Sequence, residues 1–216
     1  MWLFHNDYNQ LTHPKIMERM QKAMDLQFTG YGEDEVCASA AAKIRKACGR
    51  EDVAVHFLVG GTQTNLTVIS ATLRPHQGVL GAESAHINTH ETGAIEATGH
   101  KVIGLPSKDG KITPEQISHA VLSLREDGMP TEHMVQPKMV YISNPTELGT
   151  IYYKEELEQI HQVCRKLGLY LFVDGARLGY GLTAEDNDIT LADMANLCDV
   201  FYIGGTQRSG KLRNRG

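Results

Sequence analysis

No apolar run in this chain approaches the roughly 20 residues that a membrane-spanning helix needs. The first ten residues, MWLFHNDYNQ, lack the basic-then-apolar order of a secretory leader. Cysteine is sparse: Cys37, Cys48, Cys164 and Cys198 form no CxxC pair, so reduced thiols in a cytoplasmic protein are expected rather than disulfides. No basic stretch occurs before the last ten residues, and the net charge is −5, which argues against nucleic acid or an anionic membrane as the main partner. Tandem repeats and low-complexity tracts are missing too. What remains is an ordinary soluble globular composition, 41% hydrophobic and 22% charged, in 216 residues that suffice for one substantial core.

What the chain does contain is an alternation of short apolar runs with amphipathic stretches. Strands are expected at 53–59 (VAVHFLV), 78–82, 101–105, 138–143, 169–173 and 199–203. Helices are expected near 14–26, 35–48, 63–73, 88–98, 113–126, 154–167 and 189–196, with Pro114 in a first turn after a Thr113 cap. Wholly apolar strands separated by helices indicate an α/β fold with a mostly parallel sheet covered on both faces. Such sheets carry their ligand sites beyond the carboxyl ends of the strands. The distinctive polar groups fall in those places: GGTQTN (60–65), ESAHINTHE (83–91), SNPTELG (143–149), DGARLG (174–179) and GGTQRSG (204–210).

Each loop admits two readings. In GGTQTN the glycines permit close approach to a ligand and the helix start offers free N–H groups, an anion site; a plain strand-to-helix turn has the same letters. Asp174, directly after an apolar strand, needs a cationic or N–H partner, which a protonated heteroaromatic nitrogen would supply; a helix cap with Arg177 as a surface pair is the alternative. His86 is placed to stack on a flat ligand, and His86 with His90 and Glu91 would make a metal hydrolase's ligand set, though without the HExxH order.

Taken together, NDYNQLTHP (6–14), GYGEDE (30–35), GGTQTN, SAHI (84–87), SNPTELGT (143–150), GLYLFVDGARLG (168–179) and DVFYIGGT (199–206) resemble the threonine aldolase/β-eliminating lyase family. These are pyridoxal-phosphate enzymes of the aspartate aminotransferase fold, fold type I. The resemblance implies an N-terminal arm and helix over 1–30, a cofactor-binding large domain over 31–206 and an off-family basic tail over 207–216.

It also implies roles. Gly61, Thr62 and Thr206 would hold the cofactor phosphate, His86 would stack on the pyridine ring, and Asp174 would pair with the pyridinium nitrogen. Arg177 would bind the substrate carboxylate or the cofactor, with Asn6 and Asp7 near the substrate. His86, Asp174 and Arg177 are thus the expected catalytic set, with no metal. The family reaction cleaves a β-hydroxy-α-amino acid, such as threonine or allo-threonine, to glycine and an aldehyde. Members form dimers or tetramers, so a homo-oligomer is expected.

Two departures stand out. Thr146 occupies the place where many relatives carry a histidine, and a hydroxyl is a poor general base. Relatives read GGTK where this chain reads GGTQ, so Gln207 stands where the lysine that links pyridoxal phosphate covalently is expected. Lys211 is the one amine close by, four positions on. The change of text at 207 suggests a truncated gene, weak non-covalent cofactor binding and impaired turnover. A non-catalytic remnant of the same fold is the alternative.

Overall fold

The computed structural model describes residues 6–8, 12–125 and 131–205. Thr206, Gln207, Lys211 and the basic tail lie outside the described residues. Five strands, β1 (Gln77–Ala82), β2 (Val102–Leu105), β3 (Gln136–Ser143), β4 (Tyr170–Asp174) and β5 (Val200–Phe201), form one sheet in the order β2-β1-β3-β4-β5. Every neighbouring pair is parallel. Consecutive residues are buried along β1 and β4, so both faces are covered. Val79, Leu80, Met139, Val140, Tyr141, Leu171, Phe172 and Val173 are its fully buried centre.

The helices are α1 (Pro14–Lys22), which buries none of its residues, α2 (Glu35–Cys48), α3 (Gly61–Thr72), α4 (His86–Thr89), α5 (Pro114–Leu122), α6 (Lys154–Leu167), α7 (Leu178–Gly181) and α8 (Leu191–Leu197). Their limits have local causes. Thr113 caps α5 in a reciprocal box with Gln116, and Pro114 takes the first turn, where its missing N–H costs nothing. Gly168 ends α6 in the left-handed conformation at φ 69°. Leu157, Ile160 and Cys164 recur at helical spacing and form the buried stripe of α6.

The order of strands reverses direction between β1 and β3: the chain steps outward from β1 to β2, then returns to add β3, β4 and β5 on the other side. At such a switch point the loops leaving the two central strands diverge and open a crevice at their carboxyl ends. The loop after β1 carries His86 and the loop after β3 carries Glu147.

Two expected elements are corrected. The apolar run 53–59 is not a strand; it is unpaired, and Phe57, Leu58 and Val59 are exposed. A strand exists by its ladder, and β5 ends the sheet with β4 as its one partner, so the run has the right composition and no neighbour. Its flanks are nonetheless held, since Arg50 donates to the Ala195 carbonyl in α8 at 2.7 Å and Gly61 lies against the Tyr202 hydroxyl. The expected helix over 88–98 is instead the short α4, a turn and a 3-10 turn at Glu96–Thr98. Thr92 at φ 50° and Gly93 at φ 77° break the helical path, and the bend turns Glu91 inward. Boundaries elsewhere shift by a few residues.

Candidate active site at the carboxyl edge of the sheet

Strand β4 delivers the Asp174 carboxylate to the carboxyl edge, where the residue is only 4% exposed. Oδ1 accepts the Ala176 backbone N–H at 2.9 Å; Oδ2 accepts the Asn65 side-chain amide at 3.3 Å and the Tyr141 hydroxyl. All three donors are neutral, and among the described residues no cation lies in ion-pair contact with Asp174. Burial, and then the Asp174 charge, hold the Tyr141 hydroxyl well above its ordinary range, so it stays a donor.

The glycines around Asp174 are needed for close approach. A Cβ on Gly175 would sit 1.8 Å from the Tyr202 carbonyl oxygen, and one on Gly204 would sit 2.1 Å from that of Ala176. The backbones of the DGAR and IGG turns are therefore in contact, joined by Gly204 N–H donating to Gly175 oxygen at 2.9 Å. Tyr202 reaches back from this crossing over Gly61, which links the start of α3 to the end of β4. Thr62 is exposed at that helix start, and Gly60 supplies no side-chain cap, so the first-turn N–H groups have no capping side chain.

His86 opens α4. Its Nδ1 lies 2.9 Å from Glu91 Oε1, and its backbone N–H donates to Glu147 Oε1 at 3.0 Å. Glu147 also accepts the Ser143 hydroxyl at 2.6 Å, which ties the loops after β1 and β3 together. The hydrogen bond to Glu91 raises the His86 imidazole above its usual 6.5, against the opposing effect of burial. The His86 and His90 rings stand 5.5 Å apart and tilted. No three His, Cys, Asp or Glu side chains converge as metal ligands among the described residues.

The expected residues are thus partly assembled. Contacts connect Asp174 to His86 through Asn65 and Glu91, and Tyr202, which adjoins Gly175, also reaches Gly61. Arg177 does not meet Asp174; its guanidinium grips Asp7 with Nε–Oδ2 at 2.6 Å and Nη2–Oδ1 at 3.3 Å. That contact brings the N-terminal arm to the site, while Asn6 accepts from the Tyr8 N–H within the arm. Thr146 is buried, with its hydroxyl bonded to Thr150 at 2.7 Å and packed against Gly110. It braces a turn and has no free face for proton transfer. Asn65, Tyr141 and Glu147 carry no sequence signal of their own, and Glu91 was legible only as a candidate metal ligand beside His86 and His90; the inward face of α3 and the apolar text around Tyr141 would sooner suggest packing.

Comparison with known proteins adds the following. The family model described as beta-eliminating lyase matches residues 9–210. A low specificity L-threonine aldolase from a Pseudomonas species is 36% identical over 201 residues, covering 90% of this chain and 55% of the relative. The low specificity L-threonine aldolase of Saccharomyces cerevisiae is 30% identical over 192 residues, covering 86% of this chain and 47% of its own length. The solved threonine aldolase of Leishmania major superposes with a TM-score of 0.91 at 52% identity, over 95% of this chain and 58% of that one. Aspartate aminotransferase from Thermus thermophilus, at 20% identity and a TM-score of 0.65 over 87% of this chain and 47% of its own, shares the fold. The architecture is that of the fold type I pyridoxal-phosphate enzymes, and the chain spans about half the length of the curated relatives it matches.

Proposed function

The chain belongs to the beta-eliminating lyase family, and from that premise we propose that it is the cofactor-binding portion of a threonine-aldolase-like lyase. The substrate is a β-hydroxy-α-amino acid such as threonine or allo-threonine, and the products are glycine and an aldehyde. One observation carries the reading: a buried carboxylate, Asp174, bonded only to neutral donors at the carboxyl edge of a parallel sheet. An uncompensated buried carboxylate is costly unless a cation joins it. The protonated ring nitrogen of pyridoxal phosphate has the required charge and flatness, and the residues present fit it.

In this reading Asp174 keeps the proton on that nitrogen, and His86 covers the ring face. Gly61 and Thr62 take the phosphate at the uncapped start of α3, where N–H groups and the helix dipole favour an anion, and the family resemblance assigns Thr206 to the same phosphate. When bound, pyridoxal phosphate supplies the electron sink for the pair left on the substrate α-carbon as the Cα–Cβ bond breaks. Arg177 offers a two-pronged donor for the substrate carboxylate, and must first exchange Asp7, which holds that place now. Asn6 and Asp7 close the substrate side. With Gln207 at the covalent position the chain binds the cofactor without a covalent link, and turnover is slow or lost. The working protein is a homo-oligomer acting in the cytoplasm.

A titration of the purified chain with pyridoxal phosphate, followed by borohydride treatment, tests this. Saturable binding with no cofactor fixed to the protein is expected, and Asp174→Ala lowers the affinity by roughly 10- to 100-fold, the scale of one charged hydrogen bond. Absence of binding, or equal binding by the variant, overturns the site; a borohydride-stable adduct overturns the non-covalent part. Release of acetaldehyde from L-threonine and L-allo-threonine reads the remaining activity.

A further inference from the structure

Four side chains form a continuous polar line from α4 to β4. His86 Nδ1 lies 2.9 Å from Glu91 Oε1; Asn65 Nδ2 lies 2.7 Å from that same oxygen and 3.3 Å from Asp174 Oδ2. Asn65 is fully buried, and the Glu91 side chain has no exposure. Asn65 Oδ1 and Glu91 Oε2 have no hydrogen-bond partner among the described residues.

The donor count settles which atoms carry hydrogen. An amide nitrogen has two hydrogens, and that of Asn65 spends one on each carboxylate. Its orientation is not free to reverse, because the carbonyl oxygen would then face two acceptors. As a carboxylate, Glu91 accepts at Oε1 from both Asn65 and His86, which places a hydrogen on His86 Nδ1. A carboxylate sealed from water at 2.9 Å also favours the charged imidazole over the neutral one.

We propose that Glu91 is a positioning residue: its buried carboxylate, steadied by Asn65, pins His86 through Nδ1–H and holds the imidazole as a cation, whose Nε2–H is a donor. His86 then serves the site as a flat, positively charged cover and not as the base for the β-hydroxyl proton. The proposal deepens the reading above and rests on it for what the imidazole faces. The charged and titratable groups around His86 are Glu91 and His90 on its own loop, Glu147 from the loop after β3, and Asp174 at the end of β4. Arg177, on the loop after β4, is paired with Asp7. Three carboxylates against one neighbouring imidazole favour the cation.

The test is a pH titration of the ring nitrogens of His86 by NMR in the full chain, without cofactor, assigned by comparison with His86→Gln. In the parent, His86 is doubly protonated at neutral pH and titrates above 6.5; in Glu91→Gln it titrates at lower pH, and Glu91→Asp, one methylene short, falls between. A parent His86 that is neutral at pH 7 overturns the proposal, as does a folded Glu91→Gln with an unchanged titration. Should Glu91→Gln fail to fold, the ring nitrogens of the parent decide alone. No pyridoxal phosphate enters the experiment, so failed cofactor binding and a failed His86–Glu91 pairing are separate results.

Discussion

At the scale of single residues, charges that are close in sequence find separate partners. Asp174 and Arg177 are three positions apart in sequence, yet Arg177 pairs with Asp7, 170 positions away. The division leaves Asp174 with neutral donors and gives the Arg177 guanidinium a carboxylate partner from the N-terminal arm. His86 carries a pH consequence. Its imidazole is raised above 6.5 when folded, so the stabilisation from the Glu91 contact is complete below that value and is lost as pH rises through the folded-state value. The effect is small because the side chain is 38% exposed. Thermal melts should show the parent losing its advantage over His86→Gln between mildly acidic and alkaline pH; a constant difference contradicts the pairing.

At the scale of elements, β4 and the loops after it are built by backbone contact. Gly175→Ala places a methyl group inside the van der Waals radius of the Tyr202 carbonyl, so the two loops must part. We expect a loss on the order of 1–3 kcal/mol or more in urea unfolding, whereas Gly205→Ala, with open space around it, should be near neutral. Helix α6 is held by its stripe, and Ile160→Ala, at 1% exposure, should cost about 2–5 kcal/mol by leaving a cavity. Both variants belong in one denaturation series, where an Ile160→Ala effect below that of Gly205→Ala would refute the assignment of the α6 core. Most elements were legible beforehand because caps, prolines and apolar periods act within a few residues. The helix over 88–98 was not, because its apolar period continues through Thr92 and Gly93 while the backbone there turns left-handed.

At the scale of the whole molecule, β5 is the last strand of the sheet among the described residues. The run 53–59 has no ladder and exposes Phe57, Leu58 and Val59 at 48%, 44% and 93%. Helix α1 adds Ile16, Met17 and Met20 to the uncovered apolar surface. Surfaces of this kind associate. Sedimentation velocity should show mass rising with protein concentration, and Phe57→Ser with Val59→Thr should shift the distribution toward the single chain. A parent that stays monomeric throughout the concentration series would contradict this. No helix among the described residues is long and apolar enough to cross a membrane.

The amino-acid sequence by itself determined the parallel α/β order, the loops that leave β1, β3, β4 and β5 at one edge, and the place of Asp174 at the end of β4. Those follow from periodicity, capping and the rule that parallel strands share a carboxyl edge, all of which are local or topological. Only the tertiary structure decided that Glu91 faces inward, that Asn65 bridges two carboxylates, that Thr146 is a brace, that Arg177 holds Asp7, and that 53–59 lacks a ladder. Each of these depends on which distant segment arrives as a neighbour, and a polar side chain reads the same in sequence whether its partner comes or not.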